Sequence, residues 1–333
     1  MSRASNSNFF ARFLLAAFAT LMSSFAGALT LDADFLVNGV SGGSMTLGAP
    51  AKWEFLFKDT LTGGTPHHFH VMHAKPMHLI VVSDDLSHFA HVHPDHKPHT
   101  AKPFSLIPNV ASKDPDNFAV GKLIPFAGSY YLFGEVMPMN YGMLLFPYDL
   151  NVAGTKRAPV SLQVDERESD GKIAKVFDSG KLRTKLFIEP MEHCGVILPR
   201  FTIELEAFDG VQFVPVEDLE PWLESYGHAI VIGQQGVKAA DKIVQHLHAV
   251  WPLPGDDISK DERGPFIELA AHSHGKSTPT DVYKAWIQMK RGGVVQTLDF
   301  TFDWNLERAK ETSRSDGAFC FDADLDKKTP TGF

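Results

Sequence analysis

The chain is short of cysteine, of basic clusters and of long apolar runs, and each shortage removes a class of protein. Two cysteines in 333 residues, Cys194 and Cys320, are too few for a disulfide-dense scaffold or a cysteine-built zinc module. With 31 basic against 40 acidic side chains, a net charge of -9 and no basic run, the footprint of a nucleic-acid binder is missing. No Gly-x-Ser-x-Gly elbow and no Walker loop occurs, so hydrolysis and nucleotide chemistry have no support. Helical periodicity is scarce beyond the first thirty residues, and no later stretch approaches the ~20 apolar residues of a membrane span.

What is present begins with an export signal. Arg3 and Arg12 precede an apolar run from Phe13 to Phe25, followed by the small residues Ala26, Gly27 and Ala28. Residues 1–28 read as a signal peptide, which predicts a periplasmic or secreted protein. In that oxidising setting Cys194 and Cys320 are expected to pair and clasp the second half of the chain, with free thiols, or Cys194 joining His193 as a soft ligand, as the other readings.

The remainder alternates with period two. Trp53, Phe55 and Phe57 interleave with Lys52, Glu54 and Lys58; Phe201, Ile203 and Leu205 with Thr202, Glu204 and Glu206; Leu298, Phe300 and Phe302 with polar neighbours. Such patterns are half-buried antiparallel strands. The segments also recur in order: "KWEFLFKD" is answered by "FTIELEAFDG", "MHLIVVSDD" by "GHAIVIGQQ", "FAHVHP" by "VQHLHA", and "GSYYLFGEVMP" by "TDVYKAWIQMK". The expected fold is therefore all-β, two tandem immunoglobulin-like or cupredoxin-like sandwiches from an internal duplication. The first spans 30–154 and the second 158–305, with "NVAGTKRAP" as the joint and 306–333 as a polar acidic tail.

Histidine is concentrated where the function must lie. Ten of sixteen histidines fall between His67 and His99. The repeat aligns His78 with His228, His91 with His246 and His93 with His248. Residues two apart on a strand share a face, so His91 and His93 project together, roughly 7 Å apart at the backbone, with His78 beginning the neighbouring strand. Neutral imidazoles so placed suit Cu(II) or Zn(II). The bland reading of a His-x-His pair is a hydrogen-bonded structural one, and the neighbours weigh against it in the first half. There, His68, His70, His73 and His88 surround the trio, whereas "EDLEPWLESYGH" brings carboxylates to the second. Met77, Met137 and Met139 add thioethers, which prefer Cu(I), although methionine also fills core gaps. The first domain is the expected metal site, with copper favoured and zinc second. His228, His246 and His248 are weaker candidates.

The string "KPMHLIVVSDDLSHFAHVHPD" resembles the motif H-L-x-V-V-S-x-D-L-x-x-F-x-H-x-H-P of bacterial cell-envelope β-sandwich proteins related to the YtkA-like and copper-associated metal-binding domains. The match is dense over about twenty residues and covers His78, Asp85, Phe89, His91, His93 and Pro94. It implies a sandwich fold, export and metal handling. "VQHLHA" lacks the aromatic and the proline, so the resemblance does not extend metal binding to the second half.

An enzymatic reading is weak. His93-Pro94-Asp95 offers the His-x-Asp half of a non-haem iron triad, the basis of a mononuclear metal oxidoreductase, but nothing marks a cosubstrate. "HSH" at His272–His274 offers an exposed ligand pair in the second domain but is adequately explained as solvent-facing polar residues beside a turn, and the aspartates of "FDADLDKKTPTGF" read as a solvated acidic tail. The sequence thus favours an exported metal binder for buffering, delivery or sensing, serving the ion and a cell-envelope protein partner. The competing reading is a tandem interaction module with structural or pH-responsive histidines. Metal affinity is expected to fail below about pH 6, where free imidazoles protonate.

Overall fold

The computed structural model describes residues 31–108, 118–119, 122–193, 195–249, 264–271 and 277–315. Residues 1–28, expected to be a signal peptide, together with Cys194, Cys320, the His272–His274 pair and the tail beyond residue 315, lie outside the described residues. No helix among the described residues is long and apolar enough to cross a membrane.

The fold is all-β. The first half contributes β1 (Leu31–Val37), β2 (Val40–Ser41), β3 (Ser44–Thr46), β4 (Trp53–Asp59), β5 (Met77–Ser83), β6 (Phe89–Val92), β7 (Phe104–Leu106), β8 (Phe118–Ala119), β9 (Gly128–Val136) and β10 (Leu144–Ala153). These form two sheets, ordered β2-β1-β4-β7 and β3-β10-β9-β5-β6-β8. Trp53, Phe55 and Phe57 of β4, as their alternation predicts, point into a core shared with Leu79, Val81, Tyr130 and Leu132 of the facing sheet.

The second half contributes β11 (Ile173–Phe177), β12 (Leu182–His193), β13 (Val196–Phe208), β14 (Phe213–Pro215), β15 (Leu219–Glu220), β16 (His228–Gly233), β17 (Val244–Ala249), β18 (Phe266–Ala271), β19 (Asp281–Arg291), β20 (Val294–Trp304) and β21 (Arg314–Ser315). Here the strands join in one 11-stranded sheet that curls nearly into a barrel, rather than two separate layers. Its inward residues, among them Phe201, Ile203, Leu205, Phe300 and Phe302, form a core of their own. Residues 306–315, expected within a polar tail, instead make helix α1 (Leu306–Thr312) and β21. Asn305 caps α1 by accepting from the Arg308 N–H (2.9 Å), and Ala309 is buried against the second core.

The segments that echo each other in sequence also pair alike. In the first half Ile80 lies opposite His91 and His78 opposite Glu135; in the second, Ile230 lies opposite His246 and His228 opposite Gln288. Each of these hairpins has one face in its own core, and the other face packs on the opposite half. Ile80, Val82, Phe89, Tyr131 and Phe133 meet Ile230, Ile232 and Trp286, with Phe89 and Trp286 stacked at 4.9 Å. This third core explains why "MHLIVVS" and "HAIVIG" are buried at every position, where a half-exposed strand would alternate.

A polar strap reinforces the junction. Asp85, in the motif's Ser-x-Asp segment, accepts from the Ser83 hydroxyl (2.7 Å), the Ser87 N–H (3.2 Å) and hydroxyl (2.7 Å), Arg157 (2.7 Å) and the Val160 N–H (2.9 Å). The chain leaving the first half is thereby tied down, and Leu162 reaches the third core. Burial alone raises the Asp85 pKa, but the bonds from Ser87, Val160 and Ser83 outweigh it and pull it down to about 2. Asp85→Ala strands these donors and should cost about 3 kcal/mol in urea denaturation, with Asp85→Asn losing less because its amide oxygen still accepts.

Candidate metal centre

The polar part of the same junction holds the histidines. His78, His91 and His93 form one triad and His228, His246 and His248 another; within each, one nitrogen per residue lies within 4.8 Å of the others. All but His248 are less than a tenth exposed. Period two puts them there: Met77, Leu79 and Val81 of β5 face the first core, so His78 faces outward, and the same holds for His91 between Ala90 and Val92. The second sheet then covers that outward face.

Each triad is oriented from behind. His78 Nε2 donates to the Met72 carbonyl (2.9 Å), and His228 Nε2 donates to the Trp222 carbonyl (2.8 Å), six residues upstream in both cases. Those carbonyls belong to matching turns in which Met72 pairs with Lys75 and Trp222 with Ser225. Both turns pass through two residues at positive φ, His73 and Ala74 in one, Leu223 and Glu224 in the other. The middle histidine of each triad is held by the opposite half: His91 Nδ1 donates to Gln288 Oε1 (3.1 Å), and His246 Nδ1 donates to Glu135 Oε2 (2.8 Å).

These bonds fix where the lone pairs point. A carbonyl only accepts, so His78 carries its hydrogen on Nε2 and presents a bare Nδ1. Gln288 gives its amide hydrogen to Thr297 (3.3 Å) and offers oxygen to His91, whose Nε2 is then bare. His78 Nδ1 and His91 Nε2 stand 3.0 Å apart, two lone pairs that cannot bond to one another. In the second triad, Nδ1 of His228 and Nε2 of His246 are the corresponding bare atoms, buried and without a hydrogen bond. A cation among them relieves both arrangements. A proton is disfavoured: burial, reinforced by the neighbouring His246, lowers His78 to about 4, and burial holds His91, His228 and His248 well below the usual imidazole range.

The two triads touch. His78 and His91 each lie 5.5 Å, ring to ring, from His246. His73, carried by the positive-φ turn, stacks on His248 across the junction at 3.7 Å and lies 5.7 Å from His228. One seven-histidine cluster results.

The other expected ligands lie elsewhere. Met77 sits on the core face of β5, its Cε methyl filling the space left by Gly134, where an added Cβ would come within 2.7 Å of it. Neighbours on a strand point oppositely, so Met77 and His78 cannot serve one ion. His88 donates from Nε2 to the Leu123 carbonyl (3.0 Å), individually satisfied as the structural reading requires. His68 and His70 are exposed; His68 contacts His99 (2.9 Å between Nδ1 atoms) and borders a surface cleft of about 340 Å³ with His67 and Met139. Met137 is half-buried and offers its backbone carbonyl to the His70 N–H. Asp95 is exposed whereas His93 is buried, and the close-set ligand group that contains His93 is made with His78 and His91 and does not include Asp95. The second triad is drawn together as closely as the first, and Glu135 and Gln288 are absent from the residues expected from sequence. The visible signal for these two was a single polar residue at matching places in the apolar strands "LFGEV" and "AWIQM".

A family model described as a domain of unknown function (DUF8832) matches residues 200–305, which run from within β13 to just past β20 and include the whole second triad. No curated protein matches the chain.

The buried imidazoles also set an acid response. An unfolded chain takes up protons below its ordinary histidine value of 6.5, while folded His78 resists down to about 4. The metal-free protein should therefore lose stability as pH falls through that window, by about 1.4 kcal/mol per pH unit for each extra proton bound by the unfolded state. Thermal melts between pH 7 and pH 4 check this. The same burial moves direct proton competition at His78, His91, His228 and His248 below the pH 6 expected for free imidazoles.

Proposed function

We propose that this protein is an exported copper-binding protein that holds its ions in the two buried histidine triads between its halves. The observation that carries the reading is the confrontation of His78 Nδ1 and His91 Nε2 at 3.0 Å, with both outer nitrogens engaged elsewhere. Two bare imidazole nitrogens supply two of the three ligand atoms, and His93 supplies the third.

Copper is favoured because each triad supplies imidazole alone, and divalent copper outranks zinc at nitrogen sites. Thioether ligation no longer contributes to that preference, since Met77 is in the core and Met139 is 46% exposed. The deep burial and the outward bonds of the ligands suit retention, as in buffering, better than rapid hand-over. The matching registers of the two hairpins support a shared origin of the halves. A tandem interaction module with structural histidines accounts for His88, which meets a carbonyl, but not for nitrogens that converge on one another.

Metal analysis after copper loading and desalting should give two ions per chain. His91→Ala/His93→Ala and His246→Ala/His248→Ala should each retain one, and combining all four should retain none. A loaded protein that matches the fourfold variant would return the histidines to a structural role.

A further inference from the structure

The two triads differ in one support. Glu135 and Gln288 occupy matching places, each opposite the first histidine of its own half and each reaching across the junction to the middle histidine of the other. The contact is therefore reciprocal, but it is charged in one direction only. His246 has a carboxylate behind it at 2.8 Å, the two side chains being 6% and 8% exposed; His91 has a neutral amide at 3.1 Å. A carboxylate accepting from a ligand imidazole fixes the tautomer and ring orientation and makes the opposite nitrogen a stronger donor. It also leaves a negative charge near the ion, weakly screened in a buried setting. Glu135 stands across the ladder from His78 as well, and its charge reaches that ring, while its 2.8 Å hydrogen bond orients His246.

We infer that the His228–His246–His248 triad is the tighter site for a divalent ion and fills first, the His78–His91–His93 triad fills second, and Glu135 is the positioning residue that sets the order. This rests on the metal-binding reading above and adds to it that the sites are unequal. It also reverses the ranking that the density of histidines around the first triad suggests.

The test uses Co(II), whose visible bands report ligand field, on full-length chains that keep one triad each. His78→Ala/His93→Ala leaves the second triad, and His228→Ala/His248→Ala leaves the first. The second-triad chain should bind Co(II) about tenfold or more tightly than the first-triad chain, and adding Glu135→Gln should weaken it about 10- to 100-fold and shift its bands. The same Glu135→Gln change should weaken the first-triad chain several-fold less, Glu135→Asp should restore part of the loss, and Gln288→Glu should tighten the first-triad chain. Equal affinities, or a Glu135→Gln effect of the same size in both chains, overturns the inference while two ions still bind to the unsubstituted protein. Absence of Co(II) and copper binding in the unsubstituted protein overturns the metal reading and this inference together. Should Glu135→Gln lower the metal-free melting temperature sharply, the Gln288→Glu arm decides: a tighter first triad supports the inference and an unchanged one overturns it.

Discussion

The outer face of β5, β6 and β9 is buried against the outer face of β16, β17 and β19, and the properties of the candidate site follow from that contact. Without it, six imidazoles would lie on the solvent side of two sheets, hydrated and titrating near their ordinary value. With it, they lose water, the pKa values of His78, His91, His228 and His248 fall, and the nitrogens are forced into close quarters. The apolar part of the junction, centred on the Phe89–Trp286 stack, supplies the driving force. Asp85 anchors the connecting chain beside it.

The polar part is organised as a reciprocal exchange. Each half supplies its own triad, the carbonyl that orients its first histidine, and the side chain that orients the other half's middle histidine. Neither site is complete in its supports within one half. Buried polar groups arranged this way are costly when partly satisfied, which ties metal occupancy to the docking of the two halves. The Glu-for-Gln difference is the main chemical asymmetry between otherwise parallel arrangements.

Much of this was legible in the residues. Alternation at Trp53–Phe57, Phe201–Leu205 and Leu298–Phe302 correctly reports strands, because a half-buried strand repeats every two residues. The trio at His78, His91 and His93 and its echo at His228, His246 and His248 are readable from spacing alone. The surplus at His68, His70 and His88 lies outside the buried cluster, because abundance along the chain says nothing about which face or loop a side chain occupies. Met77 misleads for a related reason: adjacency to His78 on a strand means opposition, and Gly134 opens the core space that the thioether fills.

By itself the sequence determined the strand content, the pairing of His91 with His93 on one face and the correspondence between the halves, since these depend on local periodicity. Only the tertiary structure decided that the outward face is buried, that His73 joins the cluster, and that the middle histidines take their orientation from Glu135 and Gln288. Those facts depend on contacts between residues more than a hundred positions apart, for which no local pattern codes.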